Sequence, residues 1–329
     1  MPVLSLLIAL PLETPLPAIA ATLPMGLIAS MRKAFLPLRA LLSPIIFMVF
    51  IFFMECLIGL TRPMPLVLLS CVMLIYFVAY YLILSSGNGL GLLILVVAVL
   101  SSTMGMYSLD ALDFLNESFY LSCFCTLLLL PLLYWVFPAR TRDIMVEDFT
   151  PAIGGEYFKR ALIRRVVLMI LSLWLYTVLD VSNLIYAIVA VFVTVFPTRK
   201  MLYRELRERI ISTLFGSACA LLLLGIFYMV SHLPILLLLL ALAGLFFGDR
   251  MMHGSQPPMV YQFAFSVMLA LTVGALSVQA PWDATLLRIG LTILGAISAV
   301  VLTSVLELWL LNINTLQHVN PKVVHVTSH

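Results

Sequence analysis

Apolar runs that cross, or nearly cross, the thickness of a lipid bilayer recur from one end of this chain to the other, and they leave few folds open. They fall at about residues 1–12, 15–30, 40–61, 64–84, 89–107 and 116–138, then at 163–179, 183–197, 209–231, 233–248, 258–278 and 285–312. A segment in hydrocarbon must satisfy its backbone hydrogen bonds internally, so runs approaching about 20 apolar residues read as helices. Those near 1, 15, 183 and 233 are shorter than the usual ~17 and read as tilted or incompletely spanning. Only 10% of the residues are charged and 63% are apolar, whereas a soluble domain carries about a quarter charged residues. The expected fold is an all-α integral membrane protein of about 12 (10–12) helices. The first run has no Lys or Arg before it, and we read it as a short helix rather than a signal peptide.

The two sets of runs resemble one another. At a shift of 169, Ser43 falls on Ser212, Pro65 on Pro234, Ser86 on Ser255, Gly105 on Gly274 and Ser108 on Ser277; at a shift of 167, Arg32 falls on Arg199 and Lys33 on Lys200. Coincidences of polar, Pro and charged residues at a nearly constant shift indicate a tandem repeat. Residues 1–138 then form a first six-helix repeat, 139–162 a cytoplasmic linker, 163–312 a second six-helix repeat and 313–329 a cytoplasmic tail. An even number of helices per copy makes the repeats parallel, related by an axis along the membrane normal. With both termini cytoplasmic, every Lys and Arg except Arg62 and Arg288 falls on the inner side, the bias that positive-inside insertion demands.

Several function classes drop out. A net charge of +3, spread as a topological signal, offers no nucleic-acid surface. None of the four lysines follows a glycine, so there is no Walker-type phosphate loop. The five cysteines lie inside apolar runs without disulfide or zinc spacing. We expect no enzyme, no cofactor and no metal.

Two matched octapeptides stand out, Arg209–Gly216 (RIISTLFG) and Arg288–Gly295 (RIGLTILG). Each places Arg, Thr and Gly at offsets of four and seven, which share one helix face. Small residues continue each stripe, with Ser217 and Ala218 after Gly216 and Ala296, Ser298 and Ala299 after Gly295. Such stripes admit a neighbouring backbone and place both helices at the centre of a bundle, packed beside 40–61 and 116–138. Close packing with a snorkelling arginine explains each motif equally well, and would make bulk at Gly216 and Gly295 disruptive. Inside apolar runs lie the carboxylates Glu55 and Glu307, where ionisable groups are costly and therefore candidates for proton coupling. The plainer readings are an ion pair from Glu55 to Arg62, on the same helix face, and snorkelling of Glu307 to the interface.

The motif pair, opening the third and sixth helices of a six-helix unit, resembles the fusaric acid resistance and aromatic acid exporter superfamily, best over 163–312. The first-half counterparts, Arg39, Ser43 and Ile46 and then Ser118, Ser122 and Cys125, keep less of the pattern. Without a large cytoplasmic domain the chain looks like a compact branch of unknown function. The resemblance implies a bacterial inner-membrane efflux component for aromatic or other weak organic acids, driven by the proton gradient and working with a periplasmic adaptor of the membrane-fusion type. Its partners are an organic anion and the lipid bilayer. Arg209 with Thr213, and Arg288 with Thr292, are the expected substrate contacts, because a guanidinium holds a carboxylate bidentately. A passive anion channel and a non-transporting membrane subunit remain open alternatives.

Overall fold

Proline marks the start of most helices in this chain, since it lacks the N–H that the first turn leaves unbonded and its φ is already helical. A computed structural model describes residues 1–12, 14, 16–27, 36–87, 90–138, 157–178, 199–230, 232–276 and 281–310. These form eleven helices and, among the described residues, no strand. They are α1 (Pro2–Ala9), α2 (Pro17–Leu27), α3 (Pro37–Thr61), α4 (Pro65–Ser86), α5 (Leu90–Tyr107) and α6 (Leu109–Val136). They continue as α7 (Tyr157–Val178), α8 (Arg199–Met229), α9 (Leu233–His253), α10 (Pro258–Leu276) and α11 (Pro281–Leu310). Eight of them are long and apolar enough to cross a membrane. The apolar run at 183–197 lies outside the described residues, as do Arg32, Lys33 and the tail beyond 310.

Helices start earlier than hydropathy suggests. α6 begins at Leu109 rather than 116, because Ser108 caps it by accepting from the Ala111 N–H at 2.9 Å while Asp110, Asp113 and Glu117 form an exposed polar face. Ser108→Ala should lower stability by about 1 kcal/mol, read as a fall in melting temperature of the purified protein in detergent. α8 likewise starts at Arg199, its charged first turns held by i,i+4 pairing. At the end of α4, Gly87 adopts φ 68°, a left-handed conformation that costs glycine nothing, and its N–H bonds back to the Ile83 carbonyl.

The centre of the bundle is occupied by α5 and α10, whose apolar spans are 67% and 72% buried, against 39% for α8 and α11. This corrects the expectation that the two motif helices are central. The buried small residues line one face of each; Ala218, expected in the stripe of α8, is exposed with Leu214, Leu222 and Ile226 on the other face, as are Leu294, Val301 and Val305 on α11. α5, by contrast, is buried on every side from Leu95 to Gly105. Of the motif helices, α8 packs chiefly on α10 and then on α11, and α11 packs chiefly on α8 and α7, while α3 packs chiefly on α6 and α5. They do not take α3 and α6 as principal neighbours.

Two large apolar cores result, beside smaller clusters. One joins α3, α4, α5 and α6 with the face of α7 carrying Ala161 and Leu168; the other joins α8, α9 and α10 with Leu6 of α1 and Ala21 and Met25 of α2. Thus α7 crosses over to lie on α4 and α5, and α1 and α2 lie between α6 on one side and α9 and α10 on the other. Outward-facing Phe52, Leu60, Leu66, Leu74, Leu238 and Leu245 are exposed, an apolar girdle that suits lipid and not water. A Leu-rich run need not belong to that girdle as a whole: in 126–130, Thr126, Leu129 and Leu130 are buried and Leu128 is exposed. In 236–241, Leu236 and Leu240 are buried and Leu238 exposed.

Candidate functional site

The first turns of α8 carry charges on two faces with opposite fates. Arg204 and Glu208 pair at 2.9 Å on the exposed side. One residue further round, Glu205 and Arg209 are buried, with Arg209 Nε donating to Glu205 Oε1 at 2.8 Å. The guanidinium carbon lies 3.1 Å from the centroid of the Phe263 ring on α10, a cation–π arrangement in which a weakly hydrated planar cation is favoured. Below Arg209 on the same face come Ser212, Thr213, Gly216, Ser217 and Ala220, all buried toward α10. A Cβ at Gly216 would fall on the backbone carbonyl of Ala264, so α8 and α10 touch backbone to backbone there.

A second buried pair joins α7 to α11. Arg164 NH2 donates to Glu307 Oε1 at 3.4 Å, with both side chains almost inaccessible. Glu307 therefore does not snorkel to the interface. The reason is that Arg164, which the charge bias counts as an inner-side topology signal, is helical and turned inward on α7. Two buried charges cost several kcal/mol each to desolvate, so each arginine is held where a carboxylate offsets that cost.

Both pairs flank one apolar cluster, made by Ile163, Val167 and Leu171 of α7, Leu202 and Leu206 of α8, and Ala296, Ala299, Val300 and Leu306 of α11. Early turns of α7 and α8 meet late turns of α11, so α11 runs antiparallel to both. The two charge pairs consequently sit at the same end of the bundle. There Glu307 closes an apolar span of α11 and Arg209 lies within one of α8.

The other expected site residues are more scattered. Thr292 is buried on α11 and so is Gly295, but a Cβ at Gly295 would meet nothing within 4 Å. The side chain of Arg288 lies outside those described. Glu55 is half-buried on α3 facing Tyr120 of α6. The expected Glu55–Arg62 ion pair is not among those of the described residues; Arg62 instead lines a cavity. Glu205 and Arg164 were missed as site residues. The i,i+4 spacing of Glu205 and Arg209 was a usable signal, whereas nothing in the sequence tied Arg164 to a residue 143 positions away.

Eight membrane-length helices make this a multi-pass α-helical membrane protein, with two buried ion pairs at one end of its bundle. Residues 170–302 match the fusaric acid resistance protein-like family, in agreement with the resemblance seen in the motif pair. The match runs from the middle of α7 into α11, enclosing Arg209, Thr213, Gly216, Thr292 and Gly295, with Arg164 and Glu307 just beyond its two ends. No curated protein and no solved structure matches the chain.

Proposed function

We propose that the protein is a secondary-active exporter of weak organic acids, aromatic acids among them, in a bacterial inner membrane, driven by the proton gradient. It moves its substrate without altering it chemically. The observation that carries this reading is the presence of two buried Arg–carboxylate pairs around a matched transporter-like domain. Each pair is an exchange point. A proton arriving on Glu205 or Glu307 neutralises the carboxylate and releases its arginine to an organic anion; a departing anion returns the arginine to its own carboxylate. The carboxylate and the organic anion thus compete for the same arginine, so protonation of the carboxylate sets whether the anion is held. Arg209, with Thr213 beside it, receives the anion at the charged end, and Arg288 with Thr292 serves the opposite mouth. Glu55 is a further proton-coupling candidate.

The architecture proposed is two parallel six-helix repeats, 1–138 and 163–312, joined by a cytoplasmic linker at 139–162 and followed by a cytoplasmic tail at 313–329, with both termini inside. It is supported by like pairing in the two parts: third helix on fifth and sixth, fourth on fifth, and fifth on sixth, in α3–α6 and again in α8–α11. The crossovers are also reciprocal, α7 lying on α4 and α1 on α9. A periplasmic adaptor of the membrane-fusion type is the proposed partner.

In proteoliposomes, an imposed proton gradient should drive uphill accumulation of a radiolabelled aromatic acid, and a protonophore should abolish it. Flux that persists and follows the anion's own gradient would make the protein a channel, and no flux would make it a non-transporting subunit. Arg209→Lys should cut export at least roughly tenfold, the loss of about 1.4 kcal/mol or more expected when a bidentate, ring-stacked guanidinium becomes a point charge.

A further inference from the structure

Away from both ion pairs, a cavity of about 230 Å³ opens between α4, α5 and α7. Its open end is lined by Pro65, Leu173 and Tyr176, all exposed, and by half-buried Arg62, the residue that caps α3. Among the described residues Arg62 forms no ion pair. The walls are apolar, with Leu68, Val72 and Met169. The blind end, about three turns into α4, is polar. There the Tyr76 hydroxyl shares hydrogen bonds with Ser172 Oγ at 3.1 Å and Ser102 Oγ at 3.3 Å, joining three helices.

The hydroxyl cluster has capacity in reserve. Ser172 Oγ donates to the Leu168 carbonyl at 2.8 Å and Ser102 Oγ to that of Val99 at 3.1 Å. Both serines therefore offer Tyr76 an acceptor, and its single proton serves one of them at a time. A hydroxyl or ring nitrogen placed at the blind end can enter this exchange without leaving a buried polar atom unbonded. Size sets the ligand class. A cavity of about 150 Å³ holds benzene, so 230 Å³ takes one substituted ring and excludes two. Past the cluster, the seam between α4 and α7 continues through buried Tyr80 to Arg164, which leads from the cavity to the second ion pair.

We infer that this cavity is a binding site for a one-ring organic anion lying lengthwise, its acid group on Arg62 and a polar atom across the ring on the Tyr76–Ser102–Ser172 hydroxyls. This rests on the exporter reading only for its use in transport; the binding stands by itself. The cavity then selects among acids, because it offers a cation at one end and hydroxyls at the other.

The test is calorimetric titration of the purified full chain with 4-hydroxybenzoate, benzoate and 4-hydroxybenzamide. The wild type should bind 4-hydroxybenzoate about tenfold more tightly than either of the others. Arg62→Gln should erase the preference over the amide, and Tyr76→Phe the preference over benzoate, with Ser172→Ala weakening the latter if Tyr76→Phe fails to fold. A wild type that binds neither acid, binds the amide equally, or keeps both preferences in the variants overturns the site. Export in proteoliposomes that is unchanged by Arg62→Gln and Tyr76→Phe would take the site off the transport path and leave the exporter; the expected binding pattern without uphill transport would leave the site and remove the exporter.

Discussion

Glu307→Ala is expected to destabilise the protein by about 3–5 kcal/mol, the cost of removing one partner from a buried ion pair. Arg164 has no accessible surface and takes its carboxylate from a helix far away in sequence, so it cannot recover by turning to water. The double variant Arg164→Met/Glu307→Leu should restore most of the loss, since apolar residues of similar volume often replace a buried pair without penalty. Thermal melting of the three proteins in the same detergent measures this. A single variant that melts with the wild type would mean that Glu307 reaches the interface. The double variant also separates stability from coupling: a folded protein that no longer responds to the proton gradient places the exchange in this pair.

Gly216→Ala is expected to weaken folding by at least the roughly 1–3 kcal/mol of an overpacked core, and Gly216→Leu to abolish it. The added Cβ would meet the Ala264 backbone, with its carbonyl carbon 3.0 Å away, and backbone has no rotamer by which to yield. At Gly295 the same substitution meets open space; there Ala should be neutral, or stabilising by up to about 1 kcal/mol through helix propensity. The two glycines occupy identical motif positions, so equal effects in yield and melting temperature would refute the packing difference between α8 and α11. The expectation that bulk is disruptive at both sites is therefore replaced by an asymmetric one.

What was legible beforehand follows from rules that act locally. Hydrocarbon thickness and backbone hydrogen bonding make each long apolar run a helix, proline sets where many begin, and the recurrence of Arg-x-x-x-Thr-x-x-Gly carried the family resemblance that the match over 170–302 bears out. Glu205 and Arg209 are four residues apart and were within reach of the same reasoning. Tertiary structure decided the rest. A stripe of small residues says that something approaches closely, but whether that is α10 or α3 depends on how all the helices tile around α5 and α10. Arg164 looks like an ordinary positive-inside residue until α7 crosses over and turns it toward Glu307. Tyr76, Ser102 and Ser172 are unremarkable hydroxyls in apolar helices until three helices bring them to one point. Such meetings carry no local signature because their energy is shared between segments with no fixed sequence separation, so only the packed bundle decides which buried polar groups find one another.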